Sequence, residues 1–158
     1  MNKILIALDY APGAQKVAEA GFSFAKAMKA EIILLHVVAD PVYYSSSVYS
    51  PIMGFGGFMD VDFMLPDSIN QLNKLSHDFL DQTRRHLQDG TIETIVKEGN
   101  TADNILETAS EIHAGIIVMG NHSKKWLESV ILGGTAQEVL RRTTWPLLLI
   151  PSLKENIF

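Results

Sequence analysis

Residues 116–135 read IIVMGNHSKKWLESVILGGT, and the order of the parts decides the fold. Ile116 to Met119 form an uninterrupted apolar run, the mark of a strand covered on both faces. Gly120 ends the run. A lysine-bearing insert follows, and Gly133, Gly134 and Thr135 lead into the helical spacing of Ala136, Val139 and Leu140. Strand, glycine-bounded loop and helix in that order are the pieces of an α/β unit. A helix start offers unpaired N–H groups and the positive end of the helix dipole, which suits a phosphate. Glycines at 133 and 134 let the backbone approach a ligand closely, and Thr135 adds a hydroxyl. The same pattern fits a long loop closed by a structural glycine, and the residues alone leave both readings open.

The rest of the chain repeats the alternation. Lys3 to Leu8 and Ile32 to Val38 read as buried strands, with a helix between them whose apolar face is Val17, Gly21, Phe24 and Met28. Pro12 stands near the start of that helix, where its missing N–H costs little. A second helix is expected from about Asp67 to Asp89, capped by Asp67 and stopped by Gly90, with Ile69, Leu72, Ser76, Phe79, Leu80, Thr83 and Leu87 inward. Thr91 to Val96 alternates as a strand, with Ile92, Thr94 and Val96 on one side and Ile95 on the other. Gly99 and Asn100 turn the chain, and Thr101 caps a helix whose face is Ile105, Ala109 and Ile112. Pro146 to Ile150 is the last strand, at a strand start or sheet edge because of its proline.

This order, β-α-β-loop-α-β-α-β-α-β, calls for a parallel sheet with helices on both faces and right-handed crossovers. Ligands on such sheets sit beyond the carboxyl ends of the strands, where the strand order reverses. That rule singles out Asp9, residues 36–39, Gly99 and Gly120. Asp9 could hold a ribose hydroxyl or a metal ion there, or could simply serve as a turn or capping residue.

Composition narrows the function classes. The 158 residues fit one domain, taken as 1–158, and 47% hydrophobic with 20% charged residues is a globular balance. With no cysteine, disulfides, a thiol nucleophile and a cysteine-based zinc site are excluded; the expected location is the reducing cytoplasm. A formal net charge of −5 gives no general attraction to nucleic acid or anionic lipid, so neither is expected as a partner. The start, MNKILIALD, has too short an apolar core for a secretory signal, and no apolar run is long enough for a membrane span.

DYAPGAQ stands after the first strand, where a dinucleotide-binding fold would carry G-x-G-x-x-G; no P-loop motif and no G-x-S-x-G occur. The five histidines, His36, His77, His86, His113 and His122, show no metal-ligand spacing. His36 falls in a buried strand and reads as a satisfied core or rim residue. His77 and His86 read as solvated, while His122 lies in the loop with Lys124 and Lys125. No convincing general base stands out, and His122 is the sole candidate for a hydrolase reading.

KILIALD, IILLHVV, IIVMG and the G…GG(T) segment followed by AQEVLRRTTWPLLLIP resemble the universal stress protein family in order and spacing, over essentially the whole chain. The resemblance implies a five-stranded parallel sheet of order 3-2-1-4-5 with helices on both faces, and a homodimer paired through the last strand. It also implies ATP or another adenine nucleotide as ligand, with magnesium as a companion ion, held by G-x2-G-x9-G-[ST]. Gly120 matches the first glycine and Gly133 the third. Ser123 replaces the second glycine. Gly134 replaces the hydroxyl residue, and Thr135 follows one step late. Asp9 takes the ribose position and Val37 the backbone position at the adenine, with Ala7 beside them on the first strand. An aspartate is common where Gly115 stands. The family also holds members without nucleotide, so a dimeric interaction module is the alternative.

The segment Ala39 to Pro66 carries Tyr43, Tyr44, Tyr49, Phe55 and Phe58, and no charge between Asp40 and Asp60. It greatly exceeds the usual connection length of roughly 4–6 residues. A lid over the adenine, an added oligomer contact and a locally packed excursion all fit it.

Overall fold

The computed structural model describes residues 2–39, 68–121 and 133–151, with only the backbone of 68 and 69. Nearly all of the long apolar segment, the proposed cap Asp67, His122, Ser123 and the two loop lysines lie outside the described residues. The elements are β1 (Lys3–Leu8), α1 (Ala14–Ala27), β2 (Glu31–Val38), α2 (Ser68–Leu87), β3 (Glu93–Glu98), α3 (Thr101–Glu111), β4 (Ile116–Asn121), α4 (Gly134–Arg142) and β5 (Leu147–Pro151). The five strands form one sheet in the order β3-β2-β1-β4-β5, and every pairing is parallel. This is the expected architecture and strand order.

Side chains alternate across the sheet, so each strand feeds two cores. Ile4, Ile6 and Leu8 of β1 join Ile32, Leu34 and Val38 of β2 on one face, under Val17 and Ala18 of α1 and Leu72 and Leu80 of α2. Leu5 of β1 joins Ile33, Leu35 and Val37 of β2 on the other, against Ile105 and Ala109 of α3 and Ala136 and Val139 of α4. Ile4, Leu5 and Ile6 have no exposed surface. Burying each such side chain contributes roughly 1.5–3 kcal/mol, which is why continuous apolar runs become the central strands. The expected alternation holds for Ile92, just before β3, and Val96, toward the first core, and for Ile95, toward the second.

Several local expectations are corrected. Met28 does not belong to the inward face of α1: it is the residue that ends the helix, and it is 44% exposed. The inward stripe is Ala14, Val17, Ala18, Gly21 and Ala25. Leu140 is likewise on the outer side of α4, 49% exposed. Asn100, not Thr101, caps α3, its Oδ1 accepting the Asp103 N–H at 2.9 Å. α2 ends at Leu87, and Gln88, not Gly90, takes the left-handed turn at φ 56°. Lys29 at φ 54° and His113 at φ 55° do the same after α1 and α3. The Lys29 N–H reaches Lys26 O and the Ala30 N–H reaches Ala25 O, so closing the helix end offsets the strain of a side chain in that region.

The third strand starts later than its alternation implied. Asp89 Oδ1 accepts from both the backbone N–H and the hydroxyl of Thr91, holding that residue in a turn. Lys26 Nζ sits 2.6 Å from the same carboxylate. These bonds, Lys26 first, hold the Asp89 carboxyl down to about 2.

Gly21 is where a missing side chain matters most. A Cβ there would lie 2.7 Å from Ile6 Cδ1, 3.1 Å from Ile6 Cγ1 and 3.3 Å from Val118 Cγ1. Ile6 and Val118 are fully buried and cannot swing aside. The glycine therefore sets how closely α1 lies on β1 and β4. Gly21→Ala should lower stability by about 1–3 kcal/mol in urea denaturation, from overpacking that outweighs alanine's better helix propensity. An unchanged or raised midpoint would show that the helix can shift outward freely.

Candidate functional site

The strand order reverses between β1 and β4. From β1 the chain moves outward to β2 and β3, then returns to the other side of β1 for β4 and β5. The crevice beyond the carboxyl ends of β1 and β4 is thus the place where this topology leaves room for a ligand. The last paired residues there are Ala7 and Met119. Asp9 and Asn121 each follow two residues later, at the carboxyl ends of β1 and β4.

Asp9 is half-buried, and its Oδ1 accepts the Ala11 N–H at 3.0 Å. It is a turn residue, as its type allows, and this bond fixes its carboxylate at the end of β1. It does not cap α1, whose N-cap is Gly13. Ala7 is half-buried in β1, paired with Leu35 on one side and Met119 on the other. Val37 is buried, and β2 continues through Val37 and Val38 beside β3 after its pairing with β1 has ended at Leu8 and His36. Val38 O accepts the Gly99 N–H on the β3 side. By the alternation of a strand, Val37 turns its backbone groups toward the end of β1. Gly99, with φ 115°, is the glycine here whose backbone no other residue adopts easily.

The two glycines that bound the loop come together. Gly120 lies within β4 opposite Ile150 of β5. Gly133 is the N-cap of α4, and its N–H is given to Asn121 Oδ1 at 3.0 Å. Asn121 is 3% exposed and was not among the residues singled out by sequence. Its partner lies 12 positions away, so no local pattern reveals it. Gly133 provides no side-chain cap, and Gly134 opens α4, exposed, with nothing among the described residues within 4 Å of where its Cβ would stand. Thr135 follows, half-buried. Ser123 lies outside the described residues. Gly120 and the start of α4 at Gly133, Gly134 and Thr135 therefore lie at the carboxyl end of β4, the strand next to β1.

Beneath the end of β1 is a buried polar and aromatic cluster. His36 is 2% exposed, and its Nδ1 donates to Leu8 O at 2.8 Å, one residue before Asp9. Its ring centroid is 4.5 Å from that of Tyr10 and 5.8 Å from that of Phe79. The Tyr10 hydroxyl meets Ser76 Oγ at 2.9 Å, and Ser76 donates to Leu72 O at 2.7 Å. This chain ties the end of β1 to α2. His36 Nε2 is buried with no hydrogen-bond partner among the described residues. His86, expected to be solvated, is exposed but lies 2.8 Å from Glu19. Among the described residues no group of His, Cys, Asp or Glu could hold a metal ion, and no helix is long and apolar enough to cross a membrane.

A model of the universal stress protein family matches residues 1–151. A universal stress protein of Methanocaldococcus jannaschii is 25% identical over 156 residues, covering 94% of each chain. One of Bacillus subtilis is 27% identical over 151 residues, covering 94% of this chain and 98% of the relative. The solved structure of the M. jannaschii protein superposes with a TM-score of 0.71 at 23% identity, over 98% of both chains. Two further solved structures share the fold at 16% identity. One is a universal stress protein of Archaeoglobus fulgidus in complex with dAMP, with a TM-score of 0.58 over 95% of this chain and 98% of that one. The other is a universal stress protein in complex with cAMP, with a TM-score of 0.60 over 96% and 98%.

Burial holds His36 below its ordinary value of 6.5, since desolvation disfavours the charged ring more than Leu8 O and Asp9 favour it. Between that lowered value and 6.5 the unfolded chain binds the extra proton. The contribution of His36 is therefore fully present above pH 6.5 and is lost as pH falls below it. The slope from this one site is at most about 1.4 kcal/mol per pH unit. Urea denaturation between pH 8 and 5 should show wild type losing stability faster than His36→Asn, whose side chain can still donate to Leu8 O. Parallel pH profiles would refute the assignment.

Proposed function

We propose that this chain, which belongs to the universal stress protein family, is an adenine-nucleotide-binding member and acts as a homodimeric stress-response regulator. One observation carries the reading. The Asn121 carboxamide accepts the Gly133 N–H, which holds the start of α4 at the carboxyl end of β4, the strand next to β1 at the switch point. Such a start stabilises a phosphate through its N–H groups and dipole. The dAMP and cAMP complexes on the same fold support it.

In this reading Asp9 accepts from the ribose hydroxyls, with its carboxylate already oriented by Ala11. The backbone of Val37 meets the adenine edge, and Ala7 forms part of the floor. Gly120, Ser123, Gly133, Gly134 and Thr135 surround the phosphates. Magnesium, where present, is carried by the phosphates. β5, at one end of the sheet order, provides the strand that pairs with a second copy. The protein works in the cytoplasm.

Gly134, standing where a hydroxyl residue is expected, favours a second reading, an interaction module that dimerises without nucleotide. Isothermal calorimetry with ATP, ADP and AMP separates the two. Binding heat with a thermal shift is expected. Neither heat nor shift at millimolar nucleotide would leave the module reading. Asp9→Ala should weaken ATP by about tenfold, the loss of a hydrogen bond to a charged acceptor. Gly134→Ser should tighten it about fivefold, because the space is open and one donor is gained.

A further inference from the structure

We propose that His36 is a positioning residue: it holds the peptide from which Asp9 springs, and so gives the site its preference for ligands that carry ribose hydroxyls. The inference deepens the nucleotide reading and rests on it.

His36 Nδ1 lies 2.8 Å from Leu8 O. A carbonyl oxygen only accepts, so the ring carries its proton on Nδ1 and donates there. The accepting oxygen belongs to the peptide that joins Leu8 to Asp9. That peptide is planar, so a bond to its oxygen also orients the Asp9 nitrogen. Leu8 and His36 are the last paired positions of β1 and β2. His36 itself is held firmly, buried in β2, whose pairing with β3 runs on to Val38. Its side chain therefore steadies β1 at the point where the ladder between the two strands stops.

On the other side of Asp9, the buried Tyr10 places its hydroxyl 2.9 Å from Ser76 Oγ of α2. Its ring centroid is 4.5 Å from that of His36 and 5.0 Å from that of Phe79. Asp9 thus springs from a short span anchored at both ends by buried side chains. The Ala11 N–H, 3.0 Å from Oδ1, then orients the carboxylate itself. A hydrogen bond weakens steeply as its angle closes, so the aim of this carboxylate decides how well it accepts from a hydroxyl. Loosening the Leu8 peptide would cost the ribose contact more than contacts made elsewhere on the ligand. The bond from His36 can be separated from the packing of its ring. Asparagine keeps the donor, since its Nδ2 is attached to Cγ as Nδ1 is, and loses the ring. Phenylalanine keeps the ring and loses the donor.

Calorimetry with ATP and with dideoxy-ATP, which lacks both ribose hydroxyls, tests this on wild type, Asp9→Ala, His36→Asn and His36→Phe. Wild type should prefer ATP by about tenfold, and Asp9→Ala should bring that ratio to within about twofold, as expected for a hydrogen bond to a charged acceptor. His36→Phe should lose most of the ratio, chiefly through weaker ATP, while His36→Asn keeps it to within about twofold. A role in packing alone predicts the reverse order of the two variants. Thermal melting identifies a variant that does not fold. His36→Leu, which also lacks the donor, then replaces His36→Phe; if neither folds, His36→Asn decides, and loss of the ratio there overturns the proposal. It is equally overturned if a folded variant without the donor keeps the ratio, or weakens ATP and dideoxy-ATP alike. Wild type that binds both ligands equally overturns the inference and leaves nucleotide binding standing. Wild type that binds neither removes the nucleotide reading itself, and the inference with it.

Discussion

β1 is hydrogen-bonded on both sides, and its two ladders stop before those of its neighbours do. Toward β2 the pairing ends at Leu8 and His36, while β2 runs on beside β3 to Val38. Toward β4 it ends at Ala7 and Met119, while β4 runs on beside β5 to Asn121. A central strand that ends early between longer neighbours leaves a notch. The register that makes the notch is fixed by burial, since a one-residue slip would send Ile4 and Ile6 to the face that Leu5 occupies. Gly21 then determines how closely α1 covers that centre.

The end of β1 rests on a buried polar cluster. His36 meets Leu8 O, and Tyr10 reaches α2 through Ser76, all within the buried region. A buried N–H or hydroxyl is expensive unless bonded, so these contacts have little freedom to rearrange. They hold the residues on either side of Asp9. A carboxylate placed at the edge of such a cluster interacts more strongly with a ligand hydroxyl than one in open water.

What the sequence made legible follows from range. Continuous apolar runs revealed the strands, because a strand covered on both faces must be apolar at every position. Asp9, Gly99 and Gly120 were picked out as rim residues because topology alone puts strand ends there. Helix ends were not. Gly90 and Thr101 have the expected residue types, yet Gln88 and Asn100 take the roles, because closing carbonyls and a neighbouring N–H decide the cap locally. Met28 missed the core because α1 ends just before it. Asn121 was missed for a different reason: its significance lies in a partner 12 residues away, across a loop. The same loop contains Ser123, and the apolar segment after β2 lies equally outside the described residues.

The start of α4 also bears on why the site has the residues it has. For stability alone, a serine, threonine, asparagine or aspartate at 133 would cap the helix better than glycine, by roughly a few tenths of a kcal/mol. Gly133 forgoes that, and Asn121 accepts the Gly133 N–H. A side-chain cap would occupy the donors of Thr135 and Ala136, the groups an anion would use. A ligand phosphate there would act as the missing cap, and its binding would stabilise the fold in proportion to its occupancy. Weak local stability and ligand binding are then two aspects of one choice of residue.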